Sequence, residues 1–87
     1  MWIVRVLKKT TEAQLERWRK AFASVLSQAR RDADLTQPQV AVEMGWSRNT
    51  VTNLETGKRS VAGEEIFALA RLYGIDVAVL IGRVVRY

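Results

Sequence analysis

Cysteine and histidine are both absent from this 87-residue chain, and each absence removes a class of chemistry. Without thiols there is neither a disulfide nor a thiolate metal site, and without imidazole the commonest metal ligand and general base is gone. No apolar run approaches the roughly 20 residues that span a bilayer. The opening stretch Met1 to Leu7 is apolar but too short, and too poor in cleavage features, for a signal peptide; a cytoplasmic location is expected. The carboxylates Glu12, Glu16, Asp32, Asp34, Glu43, Glu64 and Glu65 are scattered over helix starts and solvated faces rather than paired. No enzyme is therefore expected, and no metal or cofactor.

What is present points to a small, folded, basic protein. Fourteen Lys and Arg oppose nine Asp and Glu, a net charge of +5, which suits a polyanionic partner such as nucleic acid or an acidic membrane surface. With 48% hydrophobic and 26% charged residues, the chain lies far from the composition of disordered segments, and its length suits one compact domain with short appendages.

Along the chain, Trp2 to Leu7 alternates as a short strand or extended arm. Thr11 is placed to cap a long amphipathic helix, or two helices in tandem, in which Leu15, Trp18, Phe22, Val25, Leu26, Ala29 and Ala33 recur at three- and four-residue steps, running to about Arg31. Trp18 and Phe22 are expected in the core. Thr36 and Gln39 form a capping-box pattern, with Pro38 in the first turn where its missing N–H does little harm. That second helix buries Val40, Ala41 and Met44 and closes at Gly45. Ser47 caps a third helix with Val51 and Leu54 inward, ended by Thr56-Gly57. A fourth helix, without a good N-cap, spans Gly63 to Tyr73. Asp76 caps a short fifth helix through Ile81, stopped by Gly82, and Arg83 to Tyr87 reads as a second brief strand.

Ala41, Gly45, Val51 and Leu54 meet, in order, the needs of a helix-turn-helix: a small residue where the helices cross, a turn residue that tolerates positive φ, and apolar anchors beneath the second helix. The spacing resembles the phage-repressor and Cro-like family, also called XRE-like. Its pattern T/S-Q-x-x-L-A…G-x-S…I…W/L-E-x-G-K/R…L-A…L-G-V is matched here by Thr36-Gln37…Val40-Ala41…Gly45-Trp46-Ser47…Val51…Leu54-Glu55-Thr56-Gly57-Lys58-Arg59…Leu69-Ala70…Tyr73-Gly74-Ile75. The resemblance covers about Phe22 to Gly82. It implies an all-α, five-helix, lambda-repressor-like DNA-binding domain over residues 22–82, preceded by an arm and helical extension over 1–21 and followed by a strand or tail over 83–87.

The resemblance also implies a recognition helix from Ser47 to Thr56 in the major groove of double-stranded DNA. Its residues agree, because Arg48, Asn49, Thr52 and Asn53 share the face opposite Val51 and Leu54. Arg suits guanine, Asn adenine, and the Thr methyl group thymine. Phosphate contacts are expected from the start of the second helix at Gln37, from Ser47, and from Thr56, Lys58 and Arg59 in the loop after the recognition helix. Family resemblance further implies an ion pair between Arg30 and Glu55. Trp46 departs from the family, which more often has a smaller apolar residue in the turn. It reads either as a core plug over Val40 and Leu54 or as a larger turn that shifts the recognition helix.

One such domain reads only a few base pairs, so a homodimer on a palindromic operator is expected. Its interface would be the fifth helix with Ile75, Val77, Val79 and Leu80, plus the terminal strands. The function these readings imply is a small transcriptional regulator, a repressor or Cro-like switch bound to the nucleoid. The alternative is an antitoxin or adapter that uses the same fold to hold a protein partner.

Overall fold

The computed structural model describes residues 11–87, which form five α-helices: α1 (Glu12–Asp32), α2 (Gln37–Met44), α3 (Arg48–Glu55), α4 (Gly63–Tyr73) and α5 (Val77–Arg86). The expected strand over Trp2–Leu7 lies outside the described residues.

Each helix start has a local chemical cause. Thr11 accepts a hydrogen bond from the Gln14 N–H at 3.2 Å, and the Gln14 side chain accepts one from the Thr11 N–H at 3.0 Å. Two donors that the helix cannot satisfy internally are thereby satisfied at once. Thr36 and Gln39 repeat the arrangement at α2, at 3.3 and 2.8 Å. Ser47 accepts from the Thr50 N–H at 3.3 Å to start α3, and Asp76 from the Ala78 N–H at 2.8 Å to start α5. At α4 the residue before the helix is Ala62, which has no side-chain acceptor. Only the reciprocal half of a capping box is present there, with Glu65 accepting the Ala62 N–H at 2.9 Å.

α1 ends at Asp32, after which Asp34 takes φ 58° and the Leu35 N–H returns to the Arg30 carbonyl at 3.2 Å. It runs without interruption through residues 21 and 22, where the sequence suggested a boundary. α2 closes at Gly45, whose φ of 68° would strain most residues with a Cβ; the Trp46 N–H closes the turn on the Ala41 carbonyl at 2.8 Å.

The side chains of Leu26, Val40, Val51, Leu69 and Leu80 are fully buried where the five helices meet. α2 packs on α3, and α1 lies behind α3, α4 and α5. Ala21, Val25, Leu26 and Ala29 form the stripe by which α1 enters this core, whereas Trp18 and Leu15, one and two turns earlier, stay partly exposed. Trp18 therefore departs from the expectation of a core residue.

Two readings of the C-terminal region are corrected. There is no strand over Arg83–Tyr87, and Gly82 does not stop α5, which continues to Arg86. A glycine inside a helix costs about 1 kcal/mol relative to alanine. Leu80 and Val84, four residues apart, are both buried on one side of α5, and burying a side chain of that size contributes about 1.5–3 kcal/mol. Packing outweighs propensity. For the same reason Leu80, expected at a dimer interface, belongs to the core of the single chain. Among the described residues, no helix is long and apolar enough to cross a membrane.

Candidate nucleic-acid interface

Val51 and Leu54 fix α3 against the core, which fixes by helical geometry what the opposite side presents. Arg48, Asn49 and Asn53 are exposed there. Among the described residues, none of these three side chains makes an ion pair or a hydrogen bond with another part of the protein. Their donors and acceptors are thus available to a ligand.

Thr52 behaves differently. It is half-buried, and its hydroxyl donates to Gln37 Oε1 at 3.1 Å. Gln37 Nε2 donates in turn to Glu55 Oε1 at 3.1 Å. Glu55 receives Arg30 Nε at 2.7 Å and Arg30 Nη2 at 3.1 Å, and Arg30 Nη1 reaches the Leu35 carbonyl at 2.8 Å. Side-chain exposures of 13% for Arg30 and 5% for Glu55 leave little room for water to replace either partner. The hydrogen bond to Glu55 raises the Arg30 pKa above its ordinary value, against the opposing effect of burial. Tyr73 packs nearby, and burial first, then the Glu55 charge, pushes its phenol well above the usual tyrosine range. One chain of hydrogen bonds therefore joins the end of α1, the start of α2 and the middle of α3. No buried side-chain polar atom among the described residues lacks a partner.

Of the residues expected at phosphates, Ser47 and Thr56 flank α3 and use their hydroxyls locally. Ser47 caps the helix and shares a hydrogen bond with Thr50 at 3.1 Å, and Thr56 donates to the Thr52 carbonyl at 2.9 Å. Gln37 contributes its side chain to the network above, while its backbone N–H belongs to the open first turn of α2. Lys58 is exposed and free of ion pairs among the described residues.

Arg59 is committed elsewhere. Its guanidinium makes a two-pronged pair with Glu65, at 3.0 and 2.9 Å, and lies 4.8 Å over the Trp46 ring. Trp46 itself is half-buried against the core. The hydrogen bond from Arg59 holds the Glu65 carboxyl below the usual glutamate range, and the same bond raises Arg59. The sequence offered no signal for this contact, because three residues in the turn, the loop and α4 meet only once the chain has folded. The Thr52–Gln37 link was equally hidden: Gln37 was legible at the start of α2, but not the direction of its amide.

A helix-turn-helix domain matches residues 21–80 of this chain. The chain belongs to the helix-turn-helix family of DNA-binding transcriptional regulators, in its phage-repressor, XRE-like branch. The family is one of regulators rather than enzymes. The transcriptional repressor RstR of the cryptic phage CTXphi of Vibrio cholerae is 35% identical over 60 residues, which are 69% of this chain and 54% of the repressor. The chain thus spans about half the length of that relative. The crystal structure of the clp gene regulator ClgR from C. glutamicum superposes with a TM-score of 0.73 at 24% identity, over 78% of this chain and 88% of that one. That similarity establishes the helical fold. The match begins at residue 21, nine residues after the start of α1 at Glu12.

Proposed function

We propose that this helix-turn-helix domain acts as a sequence-specific repressor or Cro-like switch, occupying a palindromic operator with α3 in the major groove. The observation that carries this reading is the division of labour on α3. Val51 and Leu54 are buried, Thr52 is held by Gln37, and Arg48, Asn49 and Asn53 are unpartnered on the solvent side. A two-pronged contact from Arg48 to guanine or from Asn49 to adenine would contribute about 1–3 kcal/mol of discrimination per base pair. Asn53 and the Thr52 methyl group complete the reading face. The backbone N–H of Gln37, with Ser47, Thr56 and Lys58, would set the register on the phosphates. The repressor relative supports this reading. Protein purified and mixed with a random double-stranded DNA pool should enrich one short motif; recovery without base preference would reject it.

Dimerisation follows from the small footprint of one domain. Val79 and Val85 on α5, together with Tyr87, leave apolar surface in solvent, and a second copy bound to a half-site about one DNA turn away would cover it. Sedimentation at micromolar concentration should show a dimer, at least on DNA. A strictly monomeric species with and without DNA would remove this part. The site of action would be nucleoid DNA in the cytoplasm. The competing reading, an antitoxin or adapter, has the same apolar α5 surface in its favour but gives no purpose to the Arg48–Asn53 face.

A further inference from the structure

The contacts of Arg59 are unusual in where they join the chain. Trp46 immediately precedes Ser47, the cap of α3, and Arg59 lies in the loop that follows α3. The Arg59 side chain reaches from the second of these segments to the first, and its partner Glu65 anchors both to the opening turn of α4. The recognition helix is therefore bracketed at both ends by one three-residue contact.

The loop is also held by local contacts: the Thr56 hydroxyl donates to the Thr52 carbonyl at 2.9 Å, Arg59 Nη1 donates to the Ser60 carbonyl at 3.1 Å, and Val61 packs against the core. The Lys58 and Arg59 N–H groups share the Asn53 carbonyl, at 2.9 and 3.1 Å, and Gly57 turns the chain with φ 79°. The Glu65 carboxylate has two oxygens, one of which also receives the Ala62 N–H. A two-pronged Arg–carboxylate pair has fixed geometry and resists screening better than a single exposed contact. Stacking on the indole face adds a second attraction and orients the guanidinium plane.

We propose that Trp46, Arg59 and Glu65 form a clip that positions the recognition helix and the Thr56–Lys58 loop for DNA, with Arg59 a positioning residue rather than a phosphate ligand. The clip rests on the reading that α3 and this loop face the duplex.

Two roles for Arg59 predict opposite signs for one substitution. Glu65→Gln removes a negative charge near a polyanion and releases Arg59. If Arg59 were a phosphate ligand, binding would tighten. If the clip positions the loop, binding weakens even though the electrostatic balance has improved. Glutamine retains an oxygen for the Ala62 N–H, so α4 keeps its start; a thermal melt verifies that the variant is folded.

The experiment measures the affinity of wild type, Glu65→Gln, Arg59→Ala, Trp46→Ala and Trp46→Phe for the DNA enriched by the wild type, across a salt series. Amide hydrogen exchange at Gly57–Val61 is measured in parallel without DNA. The clip predicts an affinity loss of about fivefold for Glu65→Gln and for Trp46→Ala, recovery in Trp46→Phe, and an unchanged salt slope in Arg59→Ala. Exchange in the loop should be faster in Glu65→Gln. Unchanged or tighter binding of Glu65→Gln overturns the proposal, as does a slope reduced by about 0.9 in Arg59→Ala, the value for one lost phosphate contact. Unchanged loop exchange also overturns it. If the wild type shows no preference for any DNA, the reading of α3 fails while the exchange measurement still decides the clip.

Discussion

Two arginine–glutamate pairs flank the recognition helix, and they differ in what surrounds them. Arg30–Glu55 has side-chain exposures of 13% and 5%, Arg59–Glu65 of 32% and 20%. Around the first, further hydrogen bonds draw the pair into a chain that includes Leu35, Gln37 and Thr52. Around the second, one face of the guanidinium rests on Trp46, Nη1 also donates to the Ser60 carbonyl at 3.1 Å, and a third of the side chain meets solvent. A buried charge that loses its partner has nothing to replace it, whereas a half-exposed one recovers water. The inner pair therefore belongs to folding and to the placing of α3 on α1 and α2, and the outer pair to the setting of a surface loop.

Breaking the inner pair gives the largest expected effect. Glu55→Ala strands the Arg30 guanidinium and frees Gln37, and should cost about 3–5 kcal/mol, the range for one partner removed from a buried pair. Thermal melting measures it, and a melt unchanged from wild type would contradict the inner role. Leu80→Ala comes next, at about 2–5 kcal/mol for a cavity in the core. Val79→Ala, one residue away but exposed, should leave the fold intact and alter only the dimer, which a melt and sedimentation run together separate.

Arg59→Ala should cost about 1 kcal/mol or less, since the pair is partly screened. Acid sharpens the same contrast. The folded-state pKa of Glu65 is lowered, chiefly by the Arg59 hydrogen bond. Its contribution to stability is therefore complete above the ordinary glutamate range and is lost as pH falls through the lowered folded value. Melts of wild type and Arg59→Ala should differ near neutral pH and converge in acid as the pH falls through the lowered folded value of Glu65. A difference that grows in acid would mean that Glu65 is not the partner that matters.

The frame of the molecule was legible because it depends on neighbours in sequence. The cap at Thr11, the capping box at Thr36, the turn at Gly45 and the inward Val51 and Leu54 follow from local sequence signals and spacings of three and four residues, which local geometry enforces. The reading failed at Gly82, where a local preference lost to the burial of Leu80 and Val84, contacts made across the fold. It assigned Leu15, Trp18 and Phe22 to one stripe without showing that the core ends before Trp18. The residues of the candidate interface were nameable from their faces, but not the use to which each is put. Thr52, Gln37 and Arg59 have the chemistry of DNA contacts, and only the folded structure shows their side chains engaged with Thr52–Gln37–Glu55 and with Glu65 and Trp46.

The central claim is that α3 reads sequence through its unpartnered side chains, and repeating the selection from random DNA with Asn49→Ala and Arg48→Ala tests it most directly. The account predicts that each variant still selects the wild-type motif but loses preference at one position per half-site, with a penalty of about 1–3 kcal/mol there. Uniform weakening across all sequences, with the motif intact, would assign both residues to phosphates and contradict it.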